Sequence, residues 1–591
     1  MSDPSLTPVT DQSLADVAAS GIWDGGLTCS AAALNVSRAL VATLQGAASG
    51  LLTAELQRVV GDVQQTATAG FPRITAADGV RLSALSIKQK TTEPRPLVVV
   101  PAGWSPYGWL PFIGSYLGLA LRGYHVLAYT PRGIGTPGLL STSEGYVDVA
   151  GPNDWADGTS VLDYGEEFFA PSAIGFLGTS YGSGISQLVA AHDPANRVSA
   201  VVALSTWGNL ATALYDNGTT HLAAVQALIE FTGGEQEDKF DAPTLRILAD
   251  FKAGQNLDAV VAWGTERAPE SYVDITNARG IPTFLSNTWH ETLFPAGQVF
   301  TTFARLDGPK RLNMWIGDHG APEAAGLIGL PATVPFPGIL TPMTEAYAWL
   351  DHYLLGVDND IDQVAVSNQV MFSYQTEPGP GGAQRITVPA SRESRPALAD
   401  VTAGTERWYL GNDTPDGVLS HAQAAGWARG FTAGELTQAT AADALLATGQ
   451  QEWSGNPRLY KVSQFERDRL LVWQSEPLDG RQLRGTPAVR LTVRSTANAA
   501  TLVAYLFDVA PDGSSRIITH EPYTVPDLTA GEDVTIQWNL QAACYDISAG
   551  HQLALVVNSR DALYAFTGTP GSTTTISSPA GDPAYLDLPL G

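Results

Sequence analysis

A chain of 591 residues is too long for a single hydrophobic core and predicts two to four units at about 150 residues each. Its 59 acidic against 33 basic residues leave a formal charge of -26, which repels phosphate backbones and anionic lipid, so nucleic acid and membrane are excluded as partners. With 44% hydrophobic and 16% charged residues, no membrane-length apolar run, and only Cys29 and Cys544, the chain has neither a spanning segment nor a disulfide framework. The nine histidines are scattered; His290-Glu291 comes nearest to a zinc pattern and lacks the second histidine, so no metal or cofactor is expected. The N-terminal stretch carries acids and no early basic cluster, which points to a cytoplasmic chain, or a secreted one where a leader has been removed.

Residues 30–68 place Ala, Leu, Val and Gln at helical spacing, so 1–72 read as a helical segment ahead of the main body. A strand pattern opens at Arg73, with Asp78-Gly79 as a hairpin-turn dipeptide between two apolar runs. Strands then alternate with helices: strands at 97–100, 124–129, 173–177 and 198–204, helices at 113–121 and 155–169. That alternation predicts a mostly parallel sheet covered on both faces, over residues 73–205. Residues 206–280 are helix-rich, include the acidic stretch 234–238, and read as an inserted cap. The sheet resumes over 281–362, with strands at 282–287 and 311–316 and a closing helix at 344–355. From 363 to 591, short strands such as 489–493 and 502–509 lie between Gly, Pro, Asp and Asn turns, the pattern of an all-β sandwich; 378–382 reads as a surface loop.

The stretch from Ser172 to Ala191 joins an apolar strand, the turn Gly178-Thr179-Ser180-Tyr181-Gly182 and a helix, which is the order of a nucleophile elbow. A serine hydroxyl needs a histidine to take its proton and an acid to hold that histidine in the right tautomer. In an open α/β sheet these partners lie beyond the carboxyl ends of later strands, in the order serine, acid, histidine. Glu291 and His319 stand at those two places. His290 is the rival base and a candidate substrate contact, while Asp318 is expected to cap its loop. His125, His192 and His221 precede the acid and fit the order poorly; His352 reads as a solvent-facing helix residue. The Tyr181 amide is one expected oxyanion donor. The second is expected from the turn after strand 97–100, from Trp104 by amide or indole in preference to the Tyr107 hydroxyl.

Several stretches together resemble the Xaa-Pro dipeptidyl-peptidase and cocaine-esterase (CocE/NonD) family of serine hydrolases: ITAADGVRL at 74–82, PRGIGTPG at 131–138, GTSYG at 178–182, IPTFLSNTWHE at 281–291, RLNMWIGDHG at 311–320 and AYAWLDHYLLG at 346–356. Further matches lie at 407–420, 469–493 and 502–513. The resemblance implies an α/β-hydrolase core with an inserted helical cap and a C-terminal jelly roll, with Ser180 as nucleophile, His319 as base and Glu291 as acid. Glu291 stands where the family usually has Asp, Trp104 where a Tyr hydroxyl usually completes the oxyanion hole, and Tyr129 where an acid usually precedes the PRG motif. Members that recognise a substrate amine place carboxylates near the triad, some just after the catalytic acid; here the uncharged run Thr292-Leu293-Phe294-Pro295 follows Glu291, and Asp216 is the remaining candidate amine contact. The expected partner is thus a small ester, amide or peptide, with ester or amide hydrolysis of an uncharged acyl group ahead of dipeptidyl-peptidase, acyltransferase and catalytically degenerate binding alternatives. Residues 1–72 have no counterpart in the resemblance, and homo-oligomer formation through them is one expected use.

Overall fold

The computed structural model describes residues 6–20, 29–47, 50–334, 336–379, 382–402, 404–413, 416–441 and 445–591. One eleven-stranded sheet organises the first two thirds of the chain. Its strands in chain order are β1 (Ala67–Gly70), β2 (Arg73–Thr75), β3 (Arg81–Gln89), β4 (Leu97–Pro101), β5 (His125–Tyr129), β6 (Ile174–Thr179), β7 (Val198–Leu204), β8 (Thr283–Thr288), β9 (Lys310–Trp315), β10 (Val366–Gln369) and β11 (Arg392–Arg395). The spatial order is β1-β3-β5-β4-β6-β7-β8-β9-β10-β11, with β2 hydrogen-bonded beside β3. From β5 through β10 neighbours run parallel, while β3 and β11 close the two sides antiparallel.

Buried parallel strands need apolar residues on both faces, and β4 shows how this is met. Leu97 and Val99 join one core layer, with helices Pro152–Phe169 and Tyr181–His192, while Val98 and Val100 join the opposite layer. That opposite layer holds helices Ile113–Leu121, Ala321–Ile328 and Thr341–Leu355, together with the N-terminal helices Ala31–Leu44 and Ala54–Thr66. The N-terminal segment therefore spends its apolar face inside its own chain: Val36, Leu40, Leu56 and Val60 are buried in this layer. Gly114 and Gly329 let two of these helices meet backbone to backbone, since a Cβ on Gly114 would lie 2.0 Å from the Gly329 nitrogen.

Between β7 and β8, which are sheet neighbours, residues 206–280 form a helical excursion that also contains a small hairpin, Tyr215–Asp216 with Thr219–Thr220. The hairpin docks on strand Ser515–Val525 through Thr524, whose amide donates to the Asn217 carbonyl at 2.8 Å. Past the expected boundary at 363 the sheet continues, because β10 pairs with β9 and β11 with β10. The remainder is β-rich, with a second eleven-stranded sheet whose neighbours are antiparallel save for Gly417–Ser420 beside Leu471–Gln474. Helix Ala447–Trp453 interrupts that all-β pattern. The loop expected at 378–382 joins the paired strands Gln375–Pro378 and Gln384–Val388; Pro380 and Gly381 lie outside the described residues. No helix among the described residues is long and apolar enough to cross a membrane.

Candidate active site

β6 ends at Thr179 and helix Tyr181–His192 begins two residues later, leaving Ser180 on the turn at φ 57° and ψ -123°. A non-glycine residue at positive φ is strained and persists only where its surroundings dictate it. Both flanking glycines supply that constraint. A Cβ on Gly178 would lie 2.1 Å from the Gly182 carbonyl oxygen, and one on Gly182 would lie 2.1 Å from the Pro101 carbonyl oxygen at the end of β4. Only hydrogen fits at either place, and the serine hydroxyl is driven out of the turn.

The loops after β8 and β9 bring the acid and the imidazole to that hydroxyl. Ser180 Oγ lies 2.7 Å from His319 Nε2, and His319 Nδ1 lies 3.0 Å from Oε1 and 3.1 Å from Oε2 of Glu291. The hydroxyl donates to Nε2 and Nδ1–H donates to the carboxylate, which fixes the tautomer. Glu291, fully buried, also accepts from the Leu293 and Phe294 amides at 3.1 and 3.2 Å, so its extra methylene relative to Asp is held in a defined place. Burial works to lower the His319 pKa, but Glu291, with Asp318 and Glu323 behind it, outweighs that and raises it above 6.5.

Asp318 ties the two loops together: its carboxylate accepts from the amide and hydroxyl of Thr292, each at 2.8 Å, and from the His319 amide at 2.7 Å. Burial and then the neighbouring Glu291 charge push its pKa up. Glu323, which the sequence does not single out, lies fully buried below the base loop and accepts from Ser286 Oγ at 2.6 Å and Ser205 Oγ at 3.0 Å. Ser205 Oγ in turn accepts the Gly320 amide at 2.9 Å, so this carboxylate is braced against the residue after His319.

The pocket in front of Ser180 is small, about 20 Å³, and is lined by Gly103, Trp104, Phe112, Thr179, His319, Gly320 and Leu446. Phe112 and Leu446 are additions that sequence alone does not place here, because neither belongs to a motif. Trp104 is buried, its indole N–H has no hydrogen-bond partner among the described residues, and its ring meets Tyr181 at 4.9 Å. The same indole lines a second, narrow space of about 70 Å³ bordered by Leu210, Leu228, Phe240, Phe251, Val260 and Trp263 and their neighbours. No charged side chain lines it among the described residues. The Tyr181 hydroxyl points away from this chemistry, donating to Asp154 Oδ2 at 2.6 Å. Arg132 of the PRG motif pairs with Asp157 at 2.6 and 2.8 Å and with Asp78 at 3.0 Å, while the Tyr129 hydroxyl is buried without a hydrogen-bond partner among the described residues.

Three sequence-derived contacts stand elsewhere. Tyr107 is half-buried in its turn, held through its backbone by Ser141 Oγ and Ser105 Oγ, and does not line the Ser180 pocket. Asp216 sits on the small hairpin and lines a separate cleft with Glu521, Gln298 and Gln541. His290 has both ring nitrogens engaged, Nδ1 with Glu452 at 2.7 Å and Nε2 with the Ile518 carbonyl at 3.1 Å, so it offers nothing to a substrate or to Ser180. For His290 the partners lie 162 and 228 residues away, which short-range spacing does not reveal.

With this geometry in place, comparison with known proteins is specific. Residues 78–321 match the family model for X-Pro dipeptidyl-peptidase (S15 family), and residues 368–583 match the X-Pro dipeptidyl-peptidase C-terminal non-catalytic domain. A Bacillus cereus protein assigned provisionally as a Xaa-Pro dipeptidyl-peptidase is 22% identical over 505 residues, 80% of this chain and 77% of that protein. Among solved structures, an α-amino acid ester hydrolase superposes with a TM-score of 0.66 at 15% identity, covering 89% of this chain and 97% of its own. An aminopeptidase from a marine sediment Thaumarchaeota archaeon gives 0.65 at 14% identity, covering 89% and 96%. A CocE/NonD family hydrolase from Staphylococcus aureus gives 0.64 at 13% identity, covering 89% and 94%.

Proposed function

Since this chain belongs to the X-Pro dipeptidyl-peptidase (S15) and CocE/NonD family of serine hydrolases, we propose that it cleaves ester or amide bonds of an uncharged, apolar acyl group through an acyl-enzyme on Ser180. The observation that carries this reading is the unbroken chain from Ser180 Oγ through His319 to Glu291. Ser180 attacks the carbonyl, His319 takes the proton and returns it to the leaving group, and water activated by the same imidazole releases the acid. Glu291 keeps the proton on Nδ1 and stabilises the imidazolium that forms. The Tyr181 amide, at the first turn of its helix, and the unpartnered Trp104 indole N–H serve as oxyanion donors. A connected triad of this kind counts against a degenerate binding protein.

In this reading the excursion at 206–280 is a cap, and its apolar space beside Trp104 is where the substrate's hydrocarbon rests. The strands after 400 form the jelly roll. Xaa-Pro dipeptidyl-peptidase activity is the second reading, favoured by the family models and the Bacillus relative. Against it, no carboxylate among the described residues lines either space next to Ser180, where a substrate ammonium would need one. Assay of p-nitrophenyl esters from acetate to octanoate beside Ala-Pro-p-nitroanilide tests the two. Expected is a kcat/KM that climbs with acyl length, with the anilide at least about 100-fold slower; preference for the anilide overturns the apolar-acyl reading. Added alcohols that divert the acyl group from water would make the enzyme a transferase.

A further inference from the structure

The residue before the catalytic acid is gripped by a different part of the chain. His290 is buried, at 8% exposure, with Glu452 Oε2 2.7 Å from Nδ1 and the Ile518 carbonyl oxygen 3.1 Å from Nε2. A backbone carbonyl only accepts, so Nε2 must carry a proton. A carboxylate facing Nδ1 at 2.7 Å also accepts. The two partners together call for an imidazolium, because a neutral ring protonated at Nε2 would turn its Nδ1 lone pair on the Glu452 charge. Burial disfavours that cation, and Glu452 outweighs the penalty and raises its pKa. Glu452 is itself 1% exposed.

Glu452 belongs to helix Ala447–Trp453, and the same short stretch reaches the site twice more. Leu446, just before the helix, lines the Ser180 pocket. Gly449 sits against the base loop so closely that a Cβ there would lie 2.4 Å from the Asp318 Cβ. Ile518 lies on strand Ser515–Val525. Every one of these contacts comes from the region matched as a non-catalytic domain.

We propose that His290 and Glu452 are positioning residues: a buried imidazolium–carboxylate clamp through which the C-terminal domain holds Glu291 in register with His319. The proposal rests on the serine-hydrolase reading. Other titratable groups face the clamp: Asp318 from the base loop, His520 from the Ile518 strand, and Tyr374 near Glu452, with Arg516 near Tyr374 in turn. Of these, Asp318 supports the cation, while His520 is held neutral, its pKa lowered to about 3 by burial and then by the His290 charge.

Steady-state kinetics of the full chain on an aryl ester, across pH, tests this with Glu452→Ala, Glu452→Gln and the double variant His290→Ala/Glu452→Ala. Glu452→Ala leaves a buried charge unpaired and is expected to lower kcat about tenfold with KM within about twofold. Glu452→Gln can donate to Nδ1 of a neutral ring and is expected to recover most of that loss. The double variant is expected to be no worse than Glu452→Ala alone. Wild type is expected to lose kcat on the alkaline side as His290 deprotonates, and Glu452→Gln to lack that limb. Should Glu452→Ala fail to fold, Glu452→Gln and its pH profile decide alone. Unchanged kcat in Glu452→Ala, or an alkaline limb retained in Glu452→Gln, overturns the clamp. A wild type that neither turns over esters nor reacts with a fluorophosphonate probe overturns the hydrolase reading instead.

Discussion

The two halves of the triad are built in opposite ways. The nucleophile half is almost self-contained: strand, turn and helix occupy nineteen consecutive residues, and the steric demands of Gly178 and Gly182 are met by each other and by the end of β4. The acid and base half is assembled from afar. Ser205 reaches Glu323 across 118 residues, and His290 reaches Glu452 across 162 and Ile518 across 228. The first half is a local code. The second is a docking problem, and its accuracy depends on how well distant segments pack.

Substitutions separate the halves by what else they disturb. Ser180→Ala should abolish turnover, by about 10⁶ in kcat, while Tm stays in place, because the turn geometry does not depend on the hydroxyl. Gly182→Ala should lose activity and Tm together, since its Cβ meets the Pro101 carbonyl; a stable, active Gly182→Ala protein would break the claim that the elbow is sterically determined. Glu291→Gln should cost about 10³–10⁴ in kcat. It should also move the acid limb of kcat/KM to lower pH: Glu291 raises the His319 pKa, and without it the imidazole stays deprotonated further into acid. A limb that does not move would detach Glu291 from His319. Trp104→Phe removes the indole N–H while keeping an aromatic ring, though a smaller one, and should lower kcat by about 10²; full activity would hand the oxyanion to backbone amides alone.

The smallest effect concerns stability of the docked half. His221 and His520 are buried, and desolvation lowers their pKa values to about 4 and about 3, below the 6.5 of an unfolded histidine. Between pH 6.5 and those values the unfolded chain binds the extra protons. Their contribution is therefore complete above pH 6.5 and lost as pH falls towards 4. Denaturant midpoints should decline over that window, and His520→Gln should flatten the decline by one proton's worth of slope. Hydrogen exchange should show strand Ser515–Val525 opening before helix Tyr181–His192 as the pH drops; the reverse order would undo the contrast between the halves.

What could be read from the chain follows the same division. Parallel strands carry continuous apolar runs and glycines flank the elbow, so β4 to β9, Ser180, and the acid and histidine at the next two strand ends are visible in short windows of sequence. The hairpin at 215–220 escapes notice because each of its strands has only two residues. Helix Ala447–Trp453 escapes because seven residues are too few for an apolar period, and because alternating strands surround it. Glu323, Phe112, Leu446 and the partners of His290 carry no motif of their own; each gains meaning only from what the fold sets beside it. Asp318 is the instructive intermediate: adjacency to His319 argues against a shared catalytic role, and its three hydrogen bonds across the two loops give it another.

The position of the 446–453 stretch along the chain also orders events in time. Synthesis runs from the N-terminus, and domains generally fold as they emerge. Ser180, Glu291 and His319 are all made well before Leu446, Gly449 and Glu452 exist to wall the pocket and seat the loops. A half-made chain thus carries the reactive groups before the 446–453 stretch exists to close on them, and on the clamp reading the hydrolase arms itself only then.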